Sequence, residues 1–379
     1  MRRLLPCFLP GPNRIVFFLL GVLLPPLLAG TEPTPGDKHP LNPTFQLVWQ
    51  DEFHGKQLDR KKWSAVDDPT VGKYGHGNGE AQAYLDAEGR TFQVREGLLT
   101  LTAHHDPGAT YPLRDKPSGK VTRTTAGQDF ASAKLTTEKL HSFTYGIFEA
   151  RIRNPLDAAG RHTAIPVWPA FWMLPEAATA PYDGYWDKAA LENKREWARS
   201  TWPYSGEIDV MEMSGRATRL YHAGAVYHTS PRRWTVGHLG WYSHYRRYDG
   251  AINPKQWIAD QKLDGSLQPR TGQKSYVSGF HVYGCKWTAD RLIFTLDGRE
   301  WGPGLDLRDP SKFGGRKIYR DYPFYLILNL AIGGNYFGVW GPDDPGPDRK
   351  GVNELYDFAR FPQSMQVDWV RVYQEKPAG

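Results

Sequence analysis

Tyr204-Ser205-Gly206-Glu207-Ile208-Asp209-Val210-Met211-Glu212-Met213-Ser214-Gly215 places three carboxylates within six positions. Acidic and apolar residues alternate from Glu207 to Val210. That is the period of a β-strand with one wet and one dry face. Glu207 and Asp209 therefore point the same way. Glu212 lies five positions after Glu207, an odd step that a regular strand would send to the opposite face. One extra residue bulged out near Val210 or Met211 restores the parity and brings all three carboxylates onto one face. An edge strand with a solvated acidic face is the plain alternative. The chemical reading is a pair of catalytic carboxylates with a third acid between them that tunes their protonation.

Patterns outward from this strand predict an all-β protein. The candidate strands are Phe45–Phe53, Ala81–Leu85, Phe92–His104, Ala131–Thr137, Tyr145–Asn154, Val167–Leu174, Glu207–Met213, Leu220–His228, Phe280–Trp287, Arg291–Leu296, Phe324–Ala331 and Gln366–Tyr373. Glu96-Gly97 and Asp297-Gly298 read as hairpin turns. Many short strands with turn signals and little helical periodicity predict a sandwich or jelly roll. Two segments break the pattern. Tyr185–Ser200 is polar and helix-prone, with Asp187 as its N-cap. Residues 231–277 are long, polar and aromatic.

Composition narrows the function classes. The chain has 379 residues, with 14 Trp, 20 Tyr and 17 Phe, an aromatic content suited to β-structure and to stacking on flat ligands. Arg2, Arg3 and Arg14 lie before an apolar run, Ile15 to Leu28, that ends in Ala29-Gly30, the pattern of an export signal. The formal charge is +6, and without those three arginines about +3 remains. No Lys/Arg cluster is interleaved with stacking aromatics, so a nucleic-acid partner is not expected. Residues 1–30 are read as a signal peptide and 31–43 as a linker. Cleavage near Gly30 yields a secreted chain, extracellular or periplasmic, without a membrane anchor; retention of the segment as an anchor is the alternative. Of the two cysteines, Cys7 falls in the leader, which leaves Cys285 alone as a buried, inert thiol. No His-Glu-x-x-His or Gly-x-Ser-x-Gly pattern supports a zinc hydrolase or a serine triad.

Two carboxyl groups flanking a glycosidic bond are the usual means of cutting it, about 5–5.5 Å apart in retaining enzymes. Same-face strand residues lie about 6.5–7 Å apart per two-residue step, so flexible Glu side chains can reach that separation. Trp168 and Trp172, four apart, share a face and can stack on sugar rings or fill a core.

Glu207-Ile208-Asp209-Val210-Met211-Glu212 resembles the catalytic motif of glycoside hydrolase family 16, in the bulged E-x-D-x-x-E form of its laminarinase-like (endo-1,3-β-glucanase) branch. Val48–Phe53, Gly77–Gln82, Tyr145–Arg151, Trp168–Leu174, Phe324–Asn335 and Val367–Tyr373 resemble further segments of that family in the same order. The likeness covers about residues 45–374. It implies a concanavalin A-like β-jelly-roll of two curved antiparallel sheets with an open concave cleft, as a catalytic domain over 44–375 with insertions near 176–201 and 231–277. It implies Glu207 as nucleophile, Glu212 as general acid/base and Asp209 as helper. Asn78, Arg151, Trp168, Trp172 and His228 match positions that line sugar sites, with His222 competing for the place of His228. Glu52, the Gly97 carbonyl and Asp368 match the ligands of a structural calcium; catalysis itself requires no cofactor. Ile147 and Gly79 depart from the common pattern. The resemblance implies a secreted, monomeric, retaining endo-β-glycosidase acting on a laminarin-type β-1,3-glucan. Alternatives are a galactan such as agarose, carrageenan or porphyran, transglycosylation, or a non-catalytic glucan-binding protein, which would typically lack the Glu residues kept here.

Overall fold

A computed structural model of the chain describes residues 32–67, 80–106, 112–114, 121–124, 130–155, 167–176, 206–213, 221–228, 236–239, 279–308, 319, 323–333 and 358–376. The chain divides into two compact units, Met1–Thr34 and Pro35–Gly379. The leader, the helix expected at Tyr185–Ser200 and most of 231–277 lie outside the described residues.

Among its described residues the second unit is built mainly from β-strands. Eleven form one sheet: β1 (Lys38–His39), β2 (Asn42–Asp51), β4 (Gln82–Tyr84), β5 (Phe92–Arg95), β6 (Leu98–His105), β9 (Phe130–Ser132), β11 (Gly146–Arg153), β16 (Phe280–Trp287), β17 (Arg291–Leu296), β18 (Arg299–Asp306) and β20 (Gln363–Glu375). Seven form the other: β3 (Ser64–Ala65), β10 (Lys134–Thr136), β12 (Val167–Pro175), β13 (Glu207–Met213), β14 (Tyr221–His228), β15 (Val236–Leu239) and β19 (Phe324–Ile332). Strands β7 (Pro112–Arg114) and β8 (Val121–Thr124) make a separate pair. Pairing is antiparallel throughout the described strands except between β4 and β9.

Alternation explains why the sheets stack. In β12, Val167, Phe171 and Met173 are buried and core-facing, while Trp168 and Trp172 between them are only half-buried on the other face. Strand β19 sends Phe324, Leu326, Leu328, Leu330 and Ile332 into the same core. The eleven-stranded sheet answers with Phe148, Ala150 and Ile152 of β11, Leu99 and Leu101 of β6, and Val367, Val370 and Val372 of β20. Burying such side chains stabilises by about 1.5–3 kcal/mol each, the main term holding the two layers together. Cys285 is fully buried in this core, and burial pushes its thiol up, as expected of an inert residue.

The two hairpin turns form as the sequence predicts. Glu96-Gly97 joins β5 to β6 and Asp297-Gly298 joins β17 to β18. All four residues have positive φ, the geometry of a two-residue type I′ turn. The linker expected over 31–43 is corrected in its second half. Lys38–His39 pairs with β2, and His39 is buried against Glu149 of β11 at 3.3 Å. Its Nδ1 accepts the backbone N–H groups of Leu41 and Asn42. Polar composition suggested a solvated segment, but His39 is satisfied on both ring nitrogens and can therefore be buried.

At the start of β11 the chain turns through Tyr145 and Gly146, both with positive φ. A Cβ at Gly146 would stand 2.6 Å from the Tyr373 carbonyl oxygen on the neighbouring β20. Gly146→Ala is expected to cost about 2 kcal/mol or more, read as a lower urea midpoint at unchanged slope.

Candidate active site

The site stands on β13, flanked by β12 and β14. On the β12 side, Ala170 pairs with Glu212, Phe171 with Met211, Trp172 with Asp209 and Met173 with Ile208. The register steps from Trp172–Asp209 to Phe171–Met211, so two residues of β13, Val210 and Met211, occupy the space of one. The same shift appears toward β14, where Asp209 faces Gly224 and Glu212 faces His222. This is the expected bulge. Ile208, Val210 and Met211 are all fully buried in the core, so Asp209 and Glu212 emerge together on the outer face of the seven-stranded sheet. Glu207, opposite Val226, shares their parity with Asp209.

Directly paired residues share a face. Trp172, opposite Asp209, and Trp168, two residues before Ala170, therefore stand on the acid-bearing face. The Trp168 indole N–H donates to Glu212 Oε1 at 3.0 Å. Tyr319, which sequence reading did not single out, fixes the start of the strand. Its hydroxyl donates to the Glu207 carbonyl at 3.1 Å and lies 3.4 Å from the Glu207 N–H.

Electrostatics divides the three acids. Asp209 and Glu212 are 4% and 8% exposed, whereas Glu207 is only half-buried. Burial, then the charge of Glu207, pushes Glu212 up to about 8; the Trp168 hydrogen bond partly opposes this and Glu80 adds to it. Asp209 is also held well above the usual carboxylate range, first by burial, then by Glu207 and Glu212, and by its hydrogen bond with Glu207. Two buried acids thus retain protons next to a more exposed one, an arrangement in which one carboxylate attacks and another donates a proton.

A second cluster on this face was only partly legible in the sequence. Glu80 Oε2 accepts from Gln82 Nε2 at 2.7 Å and from the Tyr84 hydroxyl at 3.1 Å. Asn329 Nδ2 donates to that hydroxyl at 3.0 Å, and Asn329 Oδ1 accepts from the Trp172 indole at 2.6 Å. Lys134, paired with Asn329, places its ammonium 4.9 Å from the Trp172 ring centroid. The alternation of Lys134 with Ala133 and Leu135 was the available signal for this cation.

Of the other residues expected at sugar sites, Asn78 lies outside the described residues. His228 pairs in register with Val236, while His222 holds the position opposite Glu212. Arg151 is a correction. It stands on β11 in the other sheet, on the face away from the core, since Ala150 and Ile152 point inward. There it pairs with Asp368 and covers the Phe280 ring at 4.7 Å. A motif match names a strand but not which sheet it joins.

The calcium set is corrected on the same ground. Both Glu52 oxygens accept from the Arg371 guanidinium, at 2.8 and 2.9 Å, and Asp368 is held by Arg151. A calcium ion is held by oxygen ligands that supply negative charge, and here both carboxylates of the expected set are already paired with arginines. No group of three His, Cys, Asp or Glu able to hold a metal occurs among the described residues. The residues present do not fit the ion.

No family model matches the chain. A β-glucanase from Rhodothermus marinus is 31% identical over 360 residues, covering 94% of this chain and 93% of that protein. The chain belongs to glycoside hydrolase family 16. The laminarinase catalytic domain of Thermotoga maritima superposes with a TM-score of 0.54 at 25% identity, over 88% of this chain and 99% of that one. A non-specific endo-β-1,3(4)-glucanase from family GH16 gives 0.54 and 25% over 92% and 98%. The family-16 fold is a β-jelly-roll, the architecture described above, and the chain is a glycoside hydrolase of the laminarinase-like branch.

The raised Glu212 has a consequence for stability. Between about pH 4.5 and about 8 the folded chain keeps a proton that the unfolded chain releases, so this contribution is full below 4.5 and lost as pH rises through 8. Glu212→Gln is expected to raise the thermal midpoint by several degrees above wild type near pH ~9, with the gap closing toward pH ~4. EDTA is expected to leave the wild-type midpoint unchanged; a fall would show that the arginine pairs yield to a metal ion.

Proposed function

We propose that the chain hydrolyses a β-1,3-glucan of the laminarin type by double displacement, as a secreted endo-acting enzyme. The observation that carries the reading is the bulge that brings Glu207, Asp209 and Glu212 onto one face, with Glu212 buried under Trp168 and Glu207 more exposed. The names of the compared proteins, a β-glucanase, a laminarinase and an endo-β-1,3(4)-glucanase, support the substrate class.

In this mechanism the Glu207 carboxylate attacks the anomeric carbon. The bond from that carbon to the glycosidic oxygen breaks, and the oxygen takes the proton of Glu212. Water then attacks the glycosyl–enzyme ester; Glu212, now a carboxylate, accepts the water's proton, and Glu207 leaves. Asp209, protonated between them, donates a hydrogen bond to Glu207 that orients it and eases its departure. Trp168 holds Glu212 in place, and Trp172 offers an indole face to a sugar ring, fixed by Asn329. Secretion rests on the charged and apolar N-terminal pattern.

Four measurements test this. Glu207→Gln is expected to lower kcat on laminarin on the order of a thousandfold or more; full activity would sink the assignment. NMR of the earliest product should show the β-anomer, whereas the α-anomer would mean inversion. Because Glu212 must be protonated to donate, kcat/KM should fall as pH rises through about 8. A panel that includes mixed-linkage glucan and agarose tests the substrate, with laminarin expected to be cut fastest.

A further inference from the structure

A fourth carboxylate belongs to the acid-bearing face without a part in the two displacement steps. Glu80 is 7% exposed and bridges Gly333, just beyond the end of β19. Gln82 locks it there: its Oε1 accepts the Ile332 N–H at 2.6 Å while its Nε2 donates to Glu80. Gln82 and Tyr84 follow Glu80 at two-residue steps, so all three side chains share one side of β4. That side is the acid face, because the Tyr84 hydroxyl meets Asn329, which pairs with Ala170, which pairs with Glu212. The end of the sheet is also the same. Ile332 pairs with Val167 and Ala331 with Trp168, whose indole holds Glu212; Glu207 lies toward the opposite end of β13.

We propose that Glu80 acts on the reaction through Glu212, as a positioning residue whose buried carboxylate, on the same face and at the same end of the sheet, adds to the hold of Glu212 on its proton. This rests on the reading of Glu212 as acid/base given above. Gln82 and Tyr84 reach Glu80 as N–H and O–H donors, which suits an acceptor-only carboxylate. Both carboxyl groups are more than nine-tenths buried, so solvent screens their repulsion little. The charged and titratable groups on the face of Glu212 among the described residues are Glu207 and Asp209 on its own strand, Lys134 three strands away in the same row on β10, and Glu80 with Tyr84 from β4; on β14, position 222, a histidine, is opposite in register. Glu207 and Glu80 both disfavour a second negative charge at Glu212. Glu207, however, loses its charge when it forms the glycosyl ester. Glu80 does not, so its effect on Glu212 persists through both steps.

The test is the pH profile of kcat/KM on laminarin for Glu80→Gln. The basic limb is expected to move down by about one pH unit, so activity above the limb falls about tenfold relative to wild type, with little change on the acid side. Tyr84→Phe removes a donor but keeps the charge, and its limb should not move down; a role in structure alone would shift both variants alike or neither. On an aryl glycoside with a good leaving group, which needs no proton, the Glu80→Gln loss at high pH should disappear from the bond-breaking step. An unmoved limb, or a uniform rise in KM at every pH, overturns the proposal. If the Gln variant does not fold, Glu80→Asp, which draws the charge back by one methylene, is read the same way, and an unmoved limb again overturns it. Glu212→Ala separates this from the underlying reading: return of activity on the aryl glycoside with added azide supports Glu212 as acid/base whatever Glu80 does, and full activity without azide would sink that reading itself.

Discussion

Antiparallel pairing leaves a side chain no choice of face, since residues directly opposite must project together. Everything on the acid-bearing sheet follows from that constraint and its single local relaxation at Val210. Were this strand regular, with no bulge, Glu212 would enter the core and Met211 would face solvent. With it, three apolar residues fill the sandwich and three acids stand in one row system beside Trp168 and Trp172. The hydrophobic core enforces the bulge, because every alternative register buries a carboxylate inside it or exposes Ile208.

Burial then assigns the roles. A carboxyl on an open strand ionises near its ordinary value, and three such groups would be three anions. Here the neighbouring strands and tryptophans desolvate Asp209 and Glu212 while leaving Glu207 more exposed. Burial thus holds protons on Asp209 and Glu212 more tightly than on an ordinary carboxyl. In the proposed mechanism the difference between the attacking carboxylate and the proton donor is therefore one of depth in the sheet more than of residue type.

Most of this frame was legible in the sequence because it depends on short-range rules. Alternation located the strands, Asp297-Gly298 and Glu96-Gly97 announced their turns, and the odd five-residue step announced the bulge. The misplacements share a different cause. Arg151 was assigned to the sugar face from motif likeness, but the sheet its strand joins is settled by pairing with β16 and β20, far away in the chain. Lys134 and Asn329 went unnoticed because a cation or an amide in a strand has no signature until its partners across the sheet are known. Glu52 and Asp368 looked like metal ligands only while their arginines, Arg371 and Arg151, were out of view. His39 read as linker because a buried histidine is recognisable only from the groups that satisfy it.

Tyr319 joins features that otherwise belong to separate layers. Its carbonyl accepts the indole N–H of Trp287 in the eleven-stranded sheet at 2.9 Å, and its hydroxyl grips the backbone of Glu207 in the other. Apolar packing between sheets resists separation but is indifferent to sliding, since one buried methyl group serves nearly as well as the next. A pair of directional bonds through one residue is not indifferent. It acts as a dowel between two plates, setting the lateral alignment of the layers where Glu207 begins its strand, so side chains in the intervening core can shift rotamer without carrying Glu207 with them.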